Sequence, residues 1–182
     1  QKPGISIIQM TNKTIVFDMH GVIYSHDKNN NLKNSKTKFE NIISSQNPKD
    51  EIDELNLELN SISGALNHQK NQLDIYPVDG AIDKILFHIR NQDKVVIIST
   101  SLVQTQKLIL KTFLKDEKLL NNISFHNSSE YGSKSDPETW HQILKNYGNI
   151  SELYEDTKEY LDAAKYAVNQ LGNKFCQFSQ NI

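Results

Sequence analysis

The sequence contains a single cysteine, Cys176. An internal disulfide is therefore impossible, and a zinc site built from cysteines is excluded. The formal net charge is only −2, so no basic field favours a nucleic-acid partner. Because the chain also has no apolar run of membrane-spanning length and no signal-peptide pattern, we expect no membrane partner. We expect a cytoplasmic location, with secretion by a signal-independent route as the open alternative.

The length of 182 residues suits one domain with a sizeable core and a small insert. The first residue is Gln rather than Met, so we expect a trimmed chain whose parent protein could contain further domains. The composition leaves the oligomeric state open.

Apolar segments alternate with amphipathic helical segments over most of the chain, which predicts an α/β fold with a parallel sheet covered on both faces. A short strand or an extended lead-in is expected at 5–10. The remaining strands are predicted at 14–18, 95–98, 123–126, 153–154 and 174–178. Between them, helices are predicted after Gly80, at about 102–114, from 136 and at about 158–170.

Residues 26–74 interrupt this alternation. After a polar loop at 25–36, a helix is predicted at about 36–45, a break at Asn47-Pro48, and a second helix at about 49–70. The second helix has apolar residues at helical spacing, namely Ile52, Leu55, Leu59, Ile62 and Leu66. We interpret 26–74 as a helical cap inserted into a core domain made of 1–25 and 75–182. The alternative is that both helices belong to the main helical layer.

Several polar residues that could form a catalytic site lie at the ends of the predicted strands or shortly after them. They are Asp18, His20, Ser99, Thr100, Lys134, Glu155 and Asp156. The carboxyl ends of parallel strands meet at one sheet edge, so these side chains are expected to gather there. Clustered carboxylates repel one another unless a cation lies between them, and all-oxygen ligands favour Mg²⁺. Together with a lysine and hydroxyl donors, such a site suits phosphoryl transfer.

Four stretches resemble, in order and spacing, the motifs of the haloacid dehalogenase (HAD) superfamily of hydrolases. Residues 14–24 resemble the first motif, 95–99 the second, 134–137 the third and 155–157 the fourth. The resemblance covers about 14–178 and implies a HAD-like, Rossmannoid three-layer fold with a parallel sheet. The insert lies between the first and second motifs, where the family usually has a small helical cap.

The resemblance also implies roles for the acidic residues. Asp18 would be the nucleophile that forms an aspartyl-phosphate intermediate. Its second oxygen, the main-chain carbonyl of His20 and the carboxylate of Asp156 would bind Mg²⁺. Glu155 would be a further ligand or would lie beside the ligands. The alternative for Glu155 and Asp156 is that they only complement a helix N-terminus.

The resemblance assigns phosphate binding to Ser99, with Thr100 beside it, and assigns to Lys134 the stabilisation of Asp18 and of the phosphoryl group. Two simpler interpretations stay open at this point. Ser99 and Thr100 could merely cap a helix, and Lys134 could be a solvated surface lysine.

His20 departs from the family pattern, which commonly has Asp at this position to protonate the leaving oxygen and then activate water. Imidazole can perform both steps near neutral pH. A protonated histidine beside Mg²⁺ is disfavoured, so we expect its pKa to fall. Turnover would then be slow or would need an activated leaving group.

Three functions follow from this interpretation. The first is Mg²⁺-dependent hydrolysis of a phosphomonoester, either a phosphorylated small molecule or a phosphoprotein, phosphotyrosine included. The second is a HAD-like binding module with weak or no turnover. The third is a metal-independent dehalogenase, although the acidic pair at 155–156 argues against it. Tyr24, near the first motif, could face a substrate or pack in the core.

Overall fold

A computed structural model describes residues 12–182 of the chain. The strands are β1 (Thr14–Phe17), β2 (Tyr24–Ser25), β3 (Tyr76–Pro77), β4 (Lys94–Ser99), β5 (Ile123–Asn127), β6 (Ile150–Tyr154) and β7 (Gln177–Ser179). Five of them form a parallel sheet in the order β5-β4-β1-β6-β7, and β2 pairs with β3 in a separate antiparallel sheet. The element expected at 5–10 lies outside the described residues.

Six α-helices connect the strands within residues 12–182. They are α1 (Leu32–Ser45), α2 (Glu51–Leu66), α3 (Ala81–Arg90), α4 (Val103–Leu114), α5 (Pro137–Leu144) and α6 (Lys158–Gln170). Short 3₁₀ turns at Glu117–Asn122 and Ser128–Glu130 precede and follow β5. None of the helices in this part of the chain combines the length and apolar composition that crossing a membrane requires.

The main sheet buries both of its faces, because successive side chains of a strand point to opposite sides. Ile15 and Phe17 of β1 pack in one cluster with residues of α3 and α4. Val16, between them, packs on the other side with Trp140 of α5 and Val168 of α6. The predicted three-layer α/β architecture is confirmed.

Several predicted boundaries are wrong. Helix α2 ends at Leu66 rather than near 70, and β6 begins at Ile150 rather than at 153. Helix α1 begins at Leu32 rather than near 36, because the Asn31 side chain accepts the main-chain N–H of Asn34 and caps the helix earlier. Strand β7 spans Gln177–Ser179 instead of 174–178, and Phe175 is 96% exposed. Residues 171–176 form the turn that carries the chain from α6 back to the sheet.

The predicted apolar face of α2 is only partly buried, with Ile62 at its buried centre. Ile52 is 70% exposed and Leu66 is 40% exposed. The buried residues of α2 are Glu58, Ser61, Ile62, Gly64 and Ala65. Small residues let this face approach the rest of the protein closely, so the helix is rotated away from the orientation that its leucines and isoleucines predict. The rotation carries Glu58, which is not part of the predicted apolar stripe, into the interior.

Antiparallel pairing of β2 with β3 brings together the two ends of the segment that contains α1 and α2. Buried Ile43, Ile62 and Leu73 from this segment belong to the same apolar cluster as Phe17 of β1. The segment therefore packs against the sheet layer through its apolar residues. Its description as a separate cap formed by 26–74 stays a prediction.

Candidate active site

The candidate site lies where β4, β1 and β6 end, side by side in the main sheet. Asp18 follows β1, Ser99 ends β4, and Glu155 and Asp156 follow β6. Because these three strands are parallel neighbours, their ends open onto one edge. Asp18, Ser99 and Asp156 line one pocket of about 180 Å³. His20, Thr100 and Lys134 line it as well, together with Tyr24, Lys36, Phe39, Glu58, Ser101, Thr157 and Tyr160.

Lys134 is buried and lines this pocket. Its Nζ donates to Asp18 Oδ1 at 2.8 Å and to Glu155 Oε2 at 2.6 Å. The main-chain carbonyl of Lys134 accepts the Trp140 Nε1–H at 2.7 Å, and this bond links the lysine to α5. With a residue exposure of 3%, Lys134 is not a solvated surface lysine.

The three carboxyl groups of the site have shifted pKa values. Burial opposes ionisation of Asp18, but the Lys134 ammonium and hydrogen bonds outweigh it and lower the Asp18 pKa. Burial and the Asp18 charge raise the pKa of Glu155 to about 9 and that of Asp156 to about 6. Lys134, together with Lys36 at 3.4 Å from Asp156, therefore does not fully compensate the three negative charges that this cluster carries when fully ionised.

A divalent cation fits this cluster. Asp18, Glu155 and Asp156 each offer an oxygen, and the three atoms lie within 4.8 Å of one another. Asp156 Oδ2 is buried and accepts no hydrogen bond, although Lys36 Nζ lies 3.4 Å away. Surplus negative charge and a buried oxygen without a donor are what a hard cation such as Mg²⁺ would compensate. Asp18 and Asp156 would hold it, with Glu155 beside them.

Gly21 lets the chain turn sharply between Asp18 and β2. Its φ is +83°, in the left-handed region that glycine adopts readily. A Cβ at this position would lie 2.8 Å from Leu32 Cδ1 and 2.9 Å from Asp156 Oδ2. The turn therefore brings the main chain of the first motif against the acidic pair after β6.

His20 lies in a network that leaves it neutral. Its Nε2 is 2.6 Å from Ser35 Oγ, which also accepts the main-chain N–H of His26 at 2.7 Å. This pattern favours a Ser35 hydroxyl that donates to Nε2 and a ring proton on Nδ1. Burial, followed by the nearby His26, lowers the pKa of His20 to about 4. From the sequence, a lower pKa is expected because of Mg²⁺, whereas here burial is the main cause.

Ser99, at the end of β4, and Thr100, which follows it, do not cap α4. The N-cap residue of α4 is Leu102, and no side chain caps this helix end. Ser99 is buried and its Oγ accepts the Ser101 main-chain N–H at 3.2 Å, while Thr100 is exposed. Glu155, in contrast, does accept the N–H of Thr157 at the start of α6, at 3.1 Å. It therefore supports a helix N-terminus and contacts Lys134 at the same time.

Glu58 is a pocket residue that the sequence motifs do not include. It comes from α2 and its carboxylate accepts the Ser101 hydroxyl, at 2.9 Å to Oε1 and 3.1 Å to Oε2. The Tyr24 hydroxyl is 3.5 Å from Oε1, so Tyr24 both packs in the core and faces the pocket. A signal is present in the sequence, because the small residues Ser61 and Ala65 follow Glu58 at i+3 and i+7.

No protein-family model matches the chain, and no curated protein matches it. Several solved structures, in contrast, are similar to this chain. The effector Ceg4 of Legionella pneumophila has a TM-score of 0.59 and 14% identity, over 98% of this chain and 91% of that one. The HAD domain of the effector Lem4 from the same organism has a TM-score of 0.54 and 14% identity, over 93% and 86%. CbbY from Rhodobacter sphaeroides, in complex with phosphate, has a TM-score of 0.54 and 15% identity, over 86% and 83%.

These likenesses extend over most of both chains. Because the sequence identities are low, the likenesses concern the fold alone. The chain has a HAD-like fold, similar to that of the HAD domain of Lem4. The resemblance drawn from four short motifs is confirmed at this level.

Proposed function

We propose that the protein is a Mg²⁺-dependent phosphatase that hydrolyses a phosphomonoester through an aspartyl-phosphate on Asp18. The observation that supports this most directly is the pair formed by Asp18 and the buried Lys134, 2.8 Å apart in an open pocket. The ammonium keeps Asp18 ionised and therefore nucleophilic. The HAD fold and the phosphate bound by CbbY in its own structure agree with such a site.

In the proposed first step, an Asp18 oxygen forms a bond to phosphorus while the bond from phosphorus to the leaving oxygen breaks. Lys134 neutralises charge on the phosphoryl group, and Ser99 and Thr100 donate hydrogen bonds to it. Mg²⁺, held by Asp18, Asp156 and the carbonyl of His20 with Glu155 nearby, would supply further charge neutralisation. Water then attacks the phosphorus of the acyl phosphate, releases phosphate and restores the Asp18 carboxylate.

His20 is better suited to the second step than to the first. A neutral imidazole can accept a proton from the attacking water once Nε2 exchanges its hydrogen bond with Ser35 for one with that water. With a pKa of about 4, however, little imidazolium is present at neutral pH to protonate a leaving oxygen. We therefore expect substrates with good leaving groups to be hydrolysed fastest. The substrate proposed is a phosphorylated small molecule or a phosphoprotein, and a phosphotyrosine side chain fits this leaving-group requirement.

The test is hydrolysis of p-nitrophenyl phosphate by the wild type, with Mg²⁺ and with a chelator. We expect activity only with Mg²⁺, and a loss of at least about 100-fold in Asp18→Asn, because the nucleophile is gone. Asp162→Asn is the matched control, since Asp162 is an exposed carboxylate on α6. Hydrolysis of a chlorinated acid in the presence of chelator would instead support the dehalogenase.

The second candidate is a binding module with little or no turnover, and the neutral state of His20 favours it. It predicts no phosphate release from any phosphomonoester by the wild type. Mg²⁺ or inorganic phosphate would still raise the melting temperature. Activity that appears only in His20→Asp would indicate an intact site that the histidine silences.

A further inference from the structure

Glu58 places a carboxyl group in the wall of the candidate active-site pocket. The residue is 5% exposed and belongs to α2, in the segment between the first and second motifs. Its two hydrogen-bond donors, Ser101 and Tyr24, are both neutral hydroxyls, and the Tyr24 contact is long at 3.5 Å. The proposed phosphatase chemistry uses Asp18, His20 and Lys134, and it gives Glu58 no role.

The ionised Glu58 carboxylate lacks a positive partner. Within residues 12–182, the ion pairs of the structure involve other carboxylates, and none includes Glu58. A carboxylate has about four acceptor sites, and two hydroxyl donors leave part of that capacity unused. Burial without a counter-charge disfavours the ionised form, which agrees with a Glu58 pKa raised to about 7.

The position of Glu58 in the pocket indicates what could compensate it. Glu58 bonds to Ser101, two residues beyond Ser99 and on the same loop, whereas Lys134 bonds to Asp18 and Glu155. A phosphoryl group on Lys134 and Ser99 is anionic and would be repelled by Glu58. The remainder of the ligand, which is the leaving group, is the part that Glu58 can attract. A hydrogen-bond donor satisfies the carboxylate, and a cation also neutralises it.

We propose that Glu58 is a specificity residue that binds a protonated amine on the leaving group of the substrate. The substrate class is then a phosphomonoester of an amine-bearing alcohol or phenol, with phosphate at Asp18 and the ammonium at Glu58. This inference rests on the proposed function for the phosphate end of the site. It adds a second point of recognition, supplied by α2 rather than by the four motifs.

The test compares two phosphonates, which a phosphoester hydrolase does not cleave, by calorimetry on the full chain with Mg²⁺ at pH 8. The ligands 3-aminopropylphosphonate and butylphosphonate differ by an ammonium in place of a methyl group. We expect the amine to bind the wild type about tenfold more tightly. In Glu58→Gln this preference should fall below about twofold, with butylphosphonate binding unchanged, because an amide accepts from Ser101 but carries no charge.

Glu54→Gln is the matched control, since it removes the same charge from an exposed position one turn earlier on α2. It should keep the preference for the amine. Thermal unfolding of each variant establishes that it is folded.

Several results would overturn the inference. These are equal binding of the two phosphonates to the wild type, a preference that survives in Glu58→Gln, an equal loss for both ligands, or no binding of either.

The phosphatase proposal is judged separately by p-nitrophenyl phosphate, which has no amine. Hydrolysis of that ester without an amine preference would leave the phosphatase and remove the role of Glu58. An amine preference without hydrolysis would support Glu58 in a binding module.

Discussion

His20 is the residue whose environment would most directly limit the proposed phosphatase reaction. Its Nε2 bonds to Ser35 and its ring stacks on His26 at a centroid distance of 5.3 Å. These contacts and its burial disfavour the imidazolium, so the side chain is a poor acid at neutral pH. A carboxyl group at the same position can be protonated in one step and ionised in the next without adding positive charge beside a cation.

We predict that His20→Asp increases turnover of p-nitrophenyl phosphate by about tenfold. This is less than the roughly 100-fold or more that a general acid typically contributes, because p-nitrophenolate leaves readily without protonation. The gain should be larger for phenyl phosphate, because a poorer leaving group depends more on protonation. Steady-state kinetics on the two esters, at pH 7 with Mg²⁺, measures both effects. Lower activity of the variant on both substrates would show that His20 performs the proton transfers adequately.

The raised pKa of Glu58 predicts that the stability of the protein depends on pH. Its folded-state pKa is raised from 4.5 to about 7, so the folded state holds the proton more tightly than the unfolded state. The contribution of Glu58 to stability is therefore fully present below about pH 4.5 and is lost as the pH rises to about 7.

Between pH 5 and pH 8, we expect the wild type to lose up to about 3 kcal/mol of unfolding free energy relative to Glu58→Gln, which cannot ionise. Urea unfolding of both proteins with chelator present measures the difference, and the other titrating groups cancel in the comparison. Parallel stability profiles would mean that Glu58 is not effectively buried.

At the scale of elements, the turn between β1 and β2 depends on Gly21. Alanine there would combine an unfavourable positive φ with contacts of 2.8 Å to Leu32 and 2.9 Å to Asp156. Gly172, after α6, offers a matched control, since it has a φ of +87° but a Cβ added there would meet no heavy atom within 4 Å.

We expect Gly172→Ala to cost about 1 kcal/mol and Gly21→Ala at least about 2 kcal/mol of stability. Urea unfolding measures both costs. Gly21→Ala should also weaken Mg²⁺ binding, because the added methyl group displaces Asp156. Equal costs for the two substitutions would show that the turn relaxes around the methyl group.

Helix α2 shows why an amphipathic pattern does not by itself determine which face is buried. The spacing of Ile52 and Ile62 suits one apolar stripe, yet Ile52 is 70% exposed and Ile62 is fully buried. The first turn of α2 lacks the close apolar neighbours that cover Ile62. The face with Ser61, Gly64 and Ala65 packs instead, since small side chains permit close approach.

For the whole molecule, the proposed Mg²⁺ site in the acidic cluster predicts that stability depends on metal binding. The cluster joins the segments after β1 and β6, so a cation bound there favours the folded state over the unfolded one. We predict that Mg²⁺ at about 100 times its dissociation constant stabilises the wild type by about 2.7 kcal/mol.

Thermal unfolding with Mg²⁺ and with chelator measures this stabilisation. Asp156→Asn should abolish most of it by removing a ligand, while Asp162→Asn should retain it. A Mg²⁺ effect of the same size in Asp156→Asn would place the cation elsewhere.

The sheet and the residues that gather at the edge with the candidate site follow from the sequence alone. Buried strands appear as continuous apolar runs, and parallel strands bring their following residues together, so Asp18, Ser99 and Asp156 can be grouped from the order of the strands. The order and spacing of four motifs are then sufficient to indicate the fold. Elements that depend on single hydrogen bonds, such as the start of α1 at Asn31, are predicted less accurately.

The chemical behaviour of these groups depends instead on the tertiary structure. The Lys134–Asp18 pair joins residues 116 positions apart, and the Ser101–Glu58 contact joins residues 43 positions apart. Burial of Glu58 and His20 depends on how α1 and α2 pack against the sheet, which local periodicity does not specify. The pKa of a side chain follows from the charges and solvent around it, and distant segments of the chain supply both.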